Sequence, residues 1–130
     1  MLTTANSAEF VAVLEEANPG APSVKVFAEE YKGRVIEFDG NVAASSPHGK
    51  YKTRFDMLIY DGNFDFDSAR GPNFRLTSIG PEDIKAKDGY LHLPSLFAAG
   101  SNLHVKAEIE YYNETQESFF LSKPTLSDRS

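Results

Sequence analysis

The stretch from Gly33 to Val42 alternates between apolar and polar side chains, and this alternation constrains the fold more than any other feature of the chain. Successive side chains of a strand point to opposite faces, so the pattern predicts a strand with one core face and one polar face. The core face carries Ile36, Phe38, Gly40 and Val42, and the polar face carries Glu37, Asp39 and Asn41. A glycine inside a strand marks a bulge, a bend or a close backbone approach. Gly40 therefore predicts a strand that curls into a small barrel.

Two short amphipathic helices are predicted before this strand, over Ser7–Ala17 and from about Val24 to Lys32. Both have apolar residues at helical spacing, with Asn6 as the expected N-terminal cap of the first helix and Ser23 as that of the second. Gly33 closes the second helix, as a glycine after a helix C-terminus does. Helices this short are not stable alone, so we expect them to pack on the sheet as a lid.

Four more strands follow the opening one. They are predicted over Tyr51–Tyr60, Asn73–Ile79, the residues after Gly100, and Glu117–Leu121. In the strand after Gly100, alternation places Tyr111 on the apolar face and Tyr112 on the polar face. Five strands, with an irregular or partly helical connection between the third and the fourth, are the layout of an oligonucleotide/oligosaccharide-binding (OB) barrel. The predicted fold is therefore mainly β, an OB-fold-like β-barrel of five antiparallel strands with the two N-terminal α-helices packed on it.

The length of 130 residues predicts a single domain with a core of its own. We expect residues 7–32 to form the two-helix lid, residues 33–125 the barrel and residues 126–130 a frayed tail. Pro124 is expected to end the last strand, because proline cannot donate to a ladder of backbone hydrogen bonds. The polar residues Ser127–Ser130 then have nothing that would anchor them.

Composition argues against several function classes. The net charge is −6, with 19 acidic and 13 basic residues, which disfavours a nucleic-acid backbone as the partner. There is no cysteine, and so neither a disulfide framework nor a thiolate metal site is expected. No apolar run is long enough to span a bilayer, and the first residues show no signal peptide. We therefore expect no membrane insertion by this segment.

No catalytic residue is predicted. The three histidines are His48, His92 and His104, and none stands at a spacing typical of a metal site. The chain contains no G-x-S-x-G nucleophile motif and no glycine-rich phosphate loop. We therefore expect a protein that is not an enzyme.

Four blocks of the sequence resemble the DUF4839 family, a bacterial domain of unknown function. They are Phe27–Asn41, Gly49–Asp56, Gly71–Phe74 and Gly100–Val105. The resemblance covers roughly residues 23–124 and implies a barrel similar to the tRNA-anticodon-like group. Members of the family occur mainly in actinobacteria, often in exported or membrane-attached proteins, which favours an extracellular or cell-envelope location. The family has no established activity, so the resemblance assigns no functional residue.

A ligand groove is the first candidate site. Barrels of this class bind along the second and third strands, and aromatic rings beside cations would suit a sugar or a single strand of nucleic acid. The candidate residues are Tyr51, Arg54, Arg70, Phe74 and Arg75. In the alternative interpretation Tyr51 and Arg54 are outward residues, and Arg54 pairs across strands with Glu37 or Asp39. The negative net charge favours this alternative.

The loop after the second strand is a candidate calcium site. Ca²⁺ takes oxygen ligands, and here they recur at alternate positions, namely Asp61, Asn63, Asp65 and Asp67. The first three match the first three ligand positions of an EF-hand loop. Phe66 stands where that loop requires glycine and Pro72 where it requires glutamate, so a solvated hairpin loop is the alternative.

The sequence therefore predicts a non-catalytic OB-like binding or interaction module of unknown ligand. Its expected partner is a protein or a cell-envelope ligand, and its expected context is an accessory domain of an exported or membrane-attached bacterial protein. One alternative is a binder of single-stranded nucleic acid or oligosaccharide, with nucleic acid disfavoured by the net charge. The other is a calcium-dependent structural module, and Ca²⁺ is the single cofactor considered.

Overall fold

The computed structural model describes residues 1–16, 18–50, 54–62, 72–80, 83–85 and 99–128. Two helices and seven strands lie in this part of the chain, in the order β1 (Leu2–Thr3), α1 (Ala8–Leu14), α2 (Pro22–Glu30), β2 (Val35–Pro47), β3 (Phe55–Asp61), β4 (Asn73–Ile79), β5 (Ile84–Lys85), β6 (Asn102–Asn113) and β7 (Ser118–Asp128). The predicted order of two helices and five main strands is confirmed, and β4 has the predicted bounds. The additions are the two-residue strands β1 and β5, which pair in parallel with β2 and β7.

Five strands close into a barrel, in the order β2–β3–β4–β7–β6 and back to β2. Four of these five pairings are antiparallel, and the pairing of β4 with β7 is parallel. The predicted barrel of five antiparallel strands was therefore wrong in one pairing. The reason is geometric, because strand directions cannot alternate all the way round a closed ring with an odd number of members.

The long strand β2 changes partners at its centre. Its first half pairs with β6, from Val35 to Asn41, and its second half pairs with β3, from Gly40 to Pro47. Of the bulge, bend or close backbone approach predicted at Gly40, the structure shows a close approach, since a Cβ atom there would lie 2.9 Å from both Ile59 Cγ2 and the backbone oxygen of Tyr60. The absence of a side chain at Gly40 lets β2 cross from one partner strand to the other.

The side chain of Asn41 is buried, although alternation placed it on the polar face. Its Nδ2 atom donates to the backbone oxygens of Tyr60 at 3.3 Å, Asp61 at 3.5 Å and Gly62 at 3.0 Å. Alternation did not predict this burial, which arises because β2 takes β3 as a second partner here and the end of β3 covers the amide. The buried amide then satisfies carbonyl groups at the point where β3 stops.

A closed ring of five phenylalanines joins both helices to the barrel. Neighbouring ring centroids are 4.7 to 6.3 Å apart, in the order Phe10 (α1), Phe27 (α2), Phe119 (β7), Phe74 (β4), Phe38 (β2) and back to Phe10. All five are buried. Each buried phenylalanine contributes on the order of 1.5–3 kcal/mol, so this cluster is a large part of the reason that the short helices are stable.

The N-terminal caps differ from those predicted. Ser7, and not Asn6, caps α1 by accepting a hydrogen bond from the backbone N–H of Phe10 at 3.2 Å. The second helix begins two positions earlier than expected, with Pro22 as its first residue and Ala21 as the cap residue. Proline presets the helical φ angle and lacks the N–H that would be unpaired there, so it decides the start of α2.

The inward and outward residues at the end of β6 are exchanged relative to the prediction. The register with β7 steps over Glu110, because Ile109 faces Leu121 and Tyr111 faces Phe120. Tyr111 is consequently exposed, and Tyr112 packs on the buried ring of Phe119. A bulge of this kind moves the following side chains to the other face of the sheet.

The last strand is longer than predicted. Lys106 faces Thr125 and Glu108 faces Ser122, so Lys123 and Pro124 form a bulge in β7. Proline is tolerated in a bulge because it has no backbone N–H to donate to the ladder. The strand then continues to Asp128. Leu126 is fully buried, so the predicted frayed tail from residue 126 was wrong as far as Asp128.

Candidate functional site

The structure separates the predicted ligand residues. Tyr51 and Arg70 lie outside the described residues. Phe74 is 1% exposed and stacks inside the barrel between Phe38 and Phe119, so its ring serves the core. Of the candidate set, Arg75 lines a surface groove.

Arg54 lies at the entrance to β3. Its Nη1 atom donates to the backbone oxygen of Ser78 at 3.2 Å and lies 4.0 Å from a carboxylate oxygen of Asp83. The predicted cross-strand pair with Glu37 or Asp39 was wrong. The register of β2 with β3 pairs Phe55 with Pro47, which places Arg54 at the opposite end of β2 from those two carboxylates.

A groove of about 480 Å³ crosses the outer face of β3 and β4. We call it the β3–β4 groove. Its lining comes from the end of β2, from β3, β4 and β7, and from the turn between β6 and β7, and includes Ser45, Asp56, Leu58, Arg75, Thr77, Gln116 and Phe120. Hydrogen-bonding side chains and apolar surface therefore stand side by side in it.

Arg75 is held in place by a short chain of hydrogen bonds. Its Nε atom donates to Ser118 Oγ at 3.0 Å, and the Ser118 hydroxyl donates to the backbone oxygen of Gln116 at 2.9 Å. Ser118 is fully buried, although serine is a polar residue. The guanidinium group is thus tied to the β6–β7 turn, which limits its rotamers before any ligand arrives.

Asp56, which lines the groove from β3, is held in place by contacts with two other segments. One of its carboxylate oxygens lies 2.8 Å from His48 Nδ1 and accepts a hydrogen bond from the backbone N–H of Ser78 at 3.0 Å. Ser78 has a positive φ of 56°, a conformation that is uncommon for residues other than glycine. Asp56 therefore ties the β2–β3 connection to an irregular point of β4. The sequence alone predicted no function for Asp56.

An exposed aromatic pair lies beside the groove. The rings of Tyr111 and Phe120 are parallel within 3°, with centroids 4.7 Å apart. Tyr111 is 40% exposed, and Phe120 lines the groove. Sequence reasoning missed this pair because the bulge at Glu110 turns Tyr111 outward.

The charge of the groove is balanced. Within the described part of its lining, Arg75 is the one cation and Asp56 the one anion. A surface that binds a nucleic-acid backbone needs several clustered basic groups, and the described lining does not supply them.

The candidate calcium ligands fall mostly outside the described residues, which exclude Asn63, Asp65 and Asp67. Asp61 ends β3 and lines a cleft of about 390 Å³ with Glu37, Asp39 and His104. There the imidazole of His104 lies between two carboxylates, with Nδ1 2.7 Å from Asp39 and Nε2 3.4 Å from Glu37. Among the described residues, no group of three or more potential metal-ligating side chains is arranged to hold an ion. Calcium binding by this loop stays a prediction.

No helix in the described ranges combines the length and the apolar character needed to cross a membrane.

Comparison with protein families gives one match, to the model described as "Domain of unknown function (DUF4839)", over residues 5–129 and thus nearly the whole chain. Comparisons with curated proteins and with solved structures found no match.

Proposed function

The chain belongs to the DUF4839 family, and from that premise we propose that it is a non-catalytic OB-like binding module whose ligand lies in the β3–β4 groove. One observation carries the proposal. The groove lies on the second and third strands of the barrel and reaches the turn between its fourth and fifth strands. Barrels of this class use that face and that turn to bind extended ligands.

The chemistry of the groove favours an extended ligand that is neutral or carries few charges. Arg75 and Asp56 are already oriented by Ser118, His48 and the backbone of Ser78. Oriented polar groups lower the entropy lost on binding. A segment of a partner protein or a cell-envelope component fits this description. The proposed context is an accessory domain of an exported or membrane-attached bacterial protein.

An oligosaccharide is the second candidate ligand. The parallel pair of Tyr111 and Phe120 provides an apolar face next to the hydrogen-bonding groups of the groove. Sugars present apolar ring faces and many hydroxyl groups, so they use both kinds of surface. Single-stranded nucleic acid is less favoured, because the described lining balances one cation with one anion.

The test is an amide-resolved NMR titration of the whole chain with three probes, which are a neutral oligosaccharide, a neutral extended peptide and an oligothymidine. We expect the oligosaccharide or the peptide to shift the amides of Leu58, Arg75 and Phe120. Arg75→Ala and Phe120→Ala should each weaken that binding about tenfold, which corresponds to about 1.4 kcal/mol.

The matched control is Lys106→Ala, which removes an exposed cation from β6 outside the groove and should leave affinity unchanged. Strongest binding to oligothymidine, with a steep dependence on salt, would overturn the proposal in favour of nucleic acid. The calcium alternative is tested by thermal unfolding with millimolar CaCl₂, since a ligand that binds only the native state raises the midpoint.

A further inference from the structure

A second cleft, of about 510 Å³, lies between α1 and α2, on a different part of the molecule from the β3–β4 groove. We call it the helix cleft. Its apolar lining includes Ala12, Val26 and Phe27, and the carboxylates of Glu9, Glu16 and Glu30, which we call its acidic rim, line it as well. The described lining contains no lysine, arginine or histidine. The cleft thus combines apolar surface with negative charge.

Val26 is a large apolar residue of this cleft that lies open to solvent. It is 63% exposed, whereas Val24, Phe27 and Ala28 of the same helix are buried in the core. A β-branched residue on the open face of a helix gains nothing from the core and has a lower helix propensity than alanine. Val26 also lines an adjoining cleft of mixed character, together with the exposed ring of Tyr111 and with Lys25 and Lys32.

The three carboxylates of the rim give the described lining of the cleft a net negative charge. Glu9 Oε2 accepts a hydrogen bond from the hydroxyl of Tyr31 at 2.9 Å, which fixes that carboxylate at the base of the two helices. This hydrogen bond raises the pKa of Tyr31, and burial and the charges of Glu30 and Glu9 act in the same direction. A partner with positive charge is therefore favoured here, and an anionic membrane surface is repelled.

We propose that the helix cleft docks a short basic amphipathic helix of a partner protein. Its apolar side chains cover Val26 and Phe27, and its lysine or arginine side chains face Glu9, Glu16 and Glu30. The nine residues of α2 are about 13 Å long, which matches about two turns of a docked helix. Docking of an apolar helix face into a groove is a common mode of peptide recognition. This docking is independent of the ligand proposed for the β3–β4 groove.

The experiment uses the full chain and a synthetic helical peptide with leucines at positions i, i+4 and i+7 flanked by lysines. Binding is measured by fluorescence anisotropy at low and high salt. Glu30→Lys reverses one charge of the rim, and Glu29→Lys is its matched control, because Glu29 is adjacent in the helix but does not line the helix cleft. We expect Glu30→Lys to weaken binding about tenfold, and Glu29→Lys to change it less than about twofold.

Val26→Ser tests the apolar part of the lining, and because Val26 is 63% exposed the substitution leaves the core intact. Circular dichroism and thermal unfolding confirm that each variant is folded. We expect Val26→Ser to weaken binding of the lysine peptide at both salt concentrations.

Three outcomes overturn the proposal. The first is that a peptide with glutamate in place of each lysine binds equally well, and the second is that Glu30→Lys has no effect. The third is that the chain alone dimerises in sedimentation experiments and Val26→Ser abolishes the dimer, which would make a second copy of the chain the occupant of the cleft.

Discussion

The hydroxyl of Tyr112 donates a hydrogen bond to the backbone oxygen of Pro19 at 2.7 Å. This bond ties the end of β6 to the turn between the two helices, across 93 positions of the chain. Burial raises the pKa of Tyr112, and the negative charges of Glu117 and Glu114 raise it further. A phenolate could not donate this bond, so this one link between the helix turn and the barrel requires a protonated tyrosine.

We expect Tyr112→Phe to lower the free energy of unfolding by about 1 kcal/mol at neutral pH, the usual net value of one hydrogen bond. The pKa of Tyr112 is raised in the folded chain, so the native state keeps the proton that the unfolded state loses. Its contribution to stability is full below about pH 10 and is lost as pH rises through the folded pKa. Urea unfolding at a series of alkaline pH values measures both effects.

In the Tyr112→Phe variant the loss of stability with rising pH should be smaller than in the parent chain. Tyr111→Phe is the control, because Tyr111 is exposed and adjacent. An alkaline loss that is unchanged by Tyr112→Phe would contradict the assignment to this residue. Some of the loss should remain, because the pKa of Tyr31 is also raised, first by its hydrogen bond to Glu9.

Gly40→Ala should destabilise the barrel by about 1–3 kcal/mol, because the added Cβ would overlap Ile59 and the backbone of Tyr60. The measurement is the midpoint of chemical denaturation together with its slope. Gly20→Ala is the control, since the atoms that its Cβ would meet belong to the flexible side chain of Glu117. We expect Gly20→Ala to be nearly neutral. A Gly40→Ala variant of parental stability would show that β2 can cross between its partners without this close approach.

Asn41→Ala should cost about 1–3 kcal/mol, because it leaves backbone oxygens at the end of β3 without their donor. Asn73→Ala removes a comparable amide, whose Nδ2 donates to the backbone oxygen of Glu117, but at an exposed position. That control should change stability by less than about 0.5 kcal/mol. Hydrogen exchange at Gly62, whose N–H donates to Asp39 O, reports whether the end of β3 opens in the Asn41 variant. Equal costs for the two variants would contradict the role assigned to Asn41.

Phe74→Ala should lower the free energy of unfolding by about 3–5 kcal/mol, because it opens a cavity in the ring of five phenylalanines. Phe120→Ala, at a half-buried position on the groove, should cost distinctly less. Thermal unfolding of both variants separates a core residue from a surface residue. A small change in the free energy of unfolding for Phe74→Ala would contradict the core position of Phe74, which would then stay a candidate ligand residue.

Alternation predicted the strands correctly wherever the backbone ladder is regular. The bounds of β4 and the inward residues from Leu103 to Ile109 follow directly from it. It missed the bulge at Glu110 and the burial of Asn41 where β2 changes partners, and the proline stop signal failed at Pro124, where β7 contains a bulge. These irregularities arise from the closure of the barrel, which adds constraints that no local pattern carries.

The candidate site was less predictable than the fold. Arg75 was identified because barrels of this class bind along the second and third strands, where a cation beside aromatic rings would suit a ligand. The contacts of Asp56 with His48 and of Arg75 with Ser118 join residues from different strands, and the closed barrel brings them together. The partners predicted for Arg54 were wrong for the same reason, because strand register decides which residues meet and Glu37 and Asp39 lie at the other end of β2.

The one parallel pairing of the barrel also bears on the order of folding. The hairpin β6–β7 joins neighbours in the chain, whereas β4 meets β7 only after the intervening connection and β6 have been placed. Closing a long loop costs entropy before its contacts return any free energy. We therefore expect the β4–β7 contacts to form after the transition state, so that weakening them accelerates unfolding and leaves the folding rate nearly unchanged. The resistance of the native barrel to opening then depends on this late pairing.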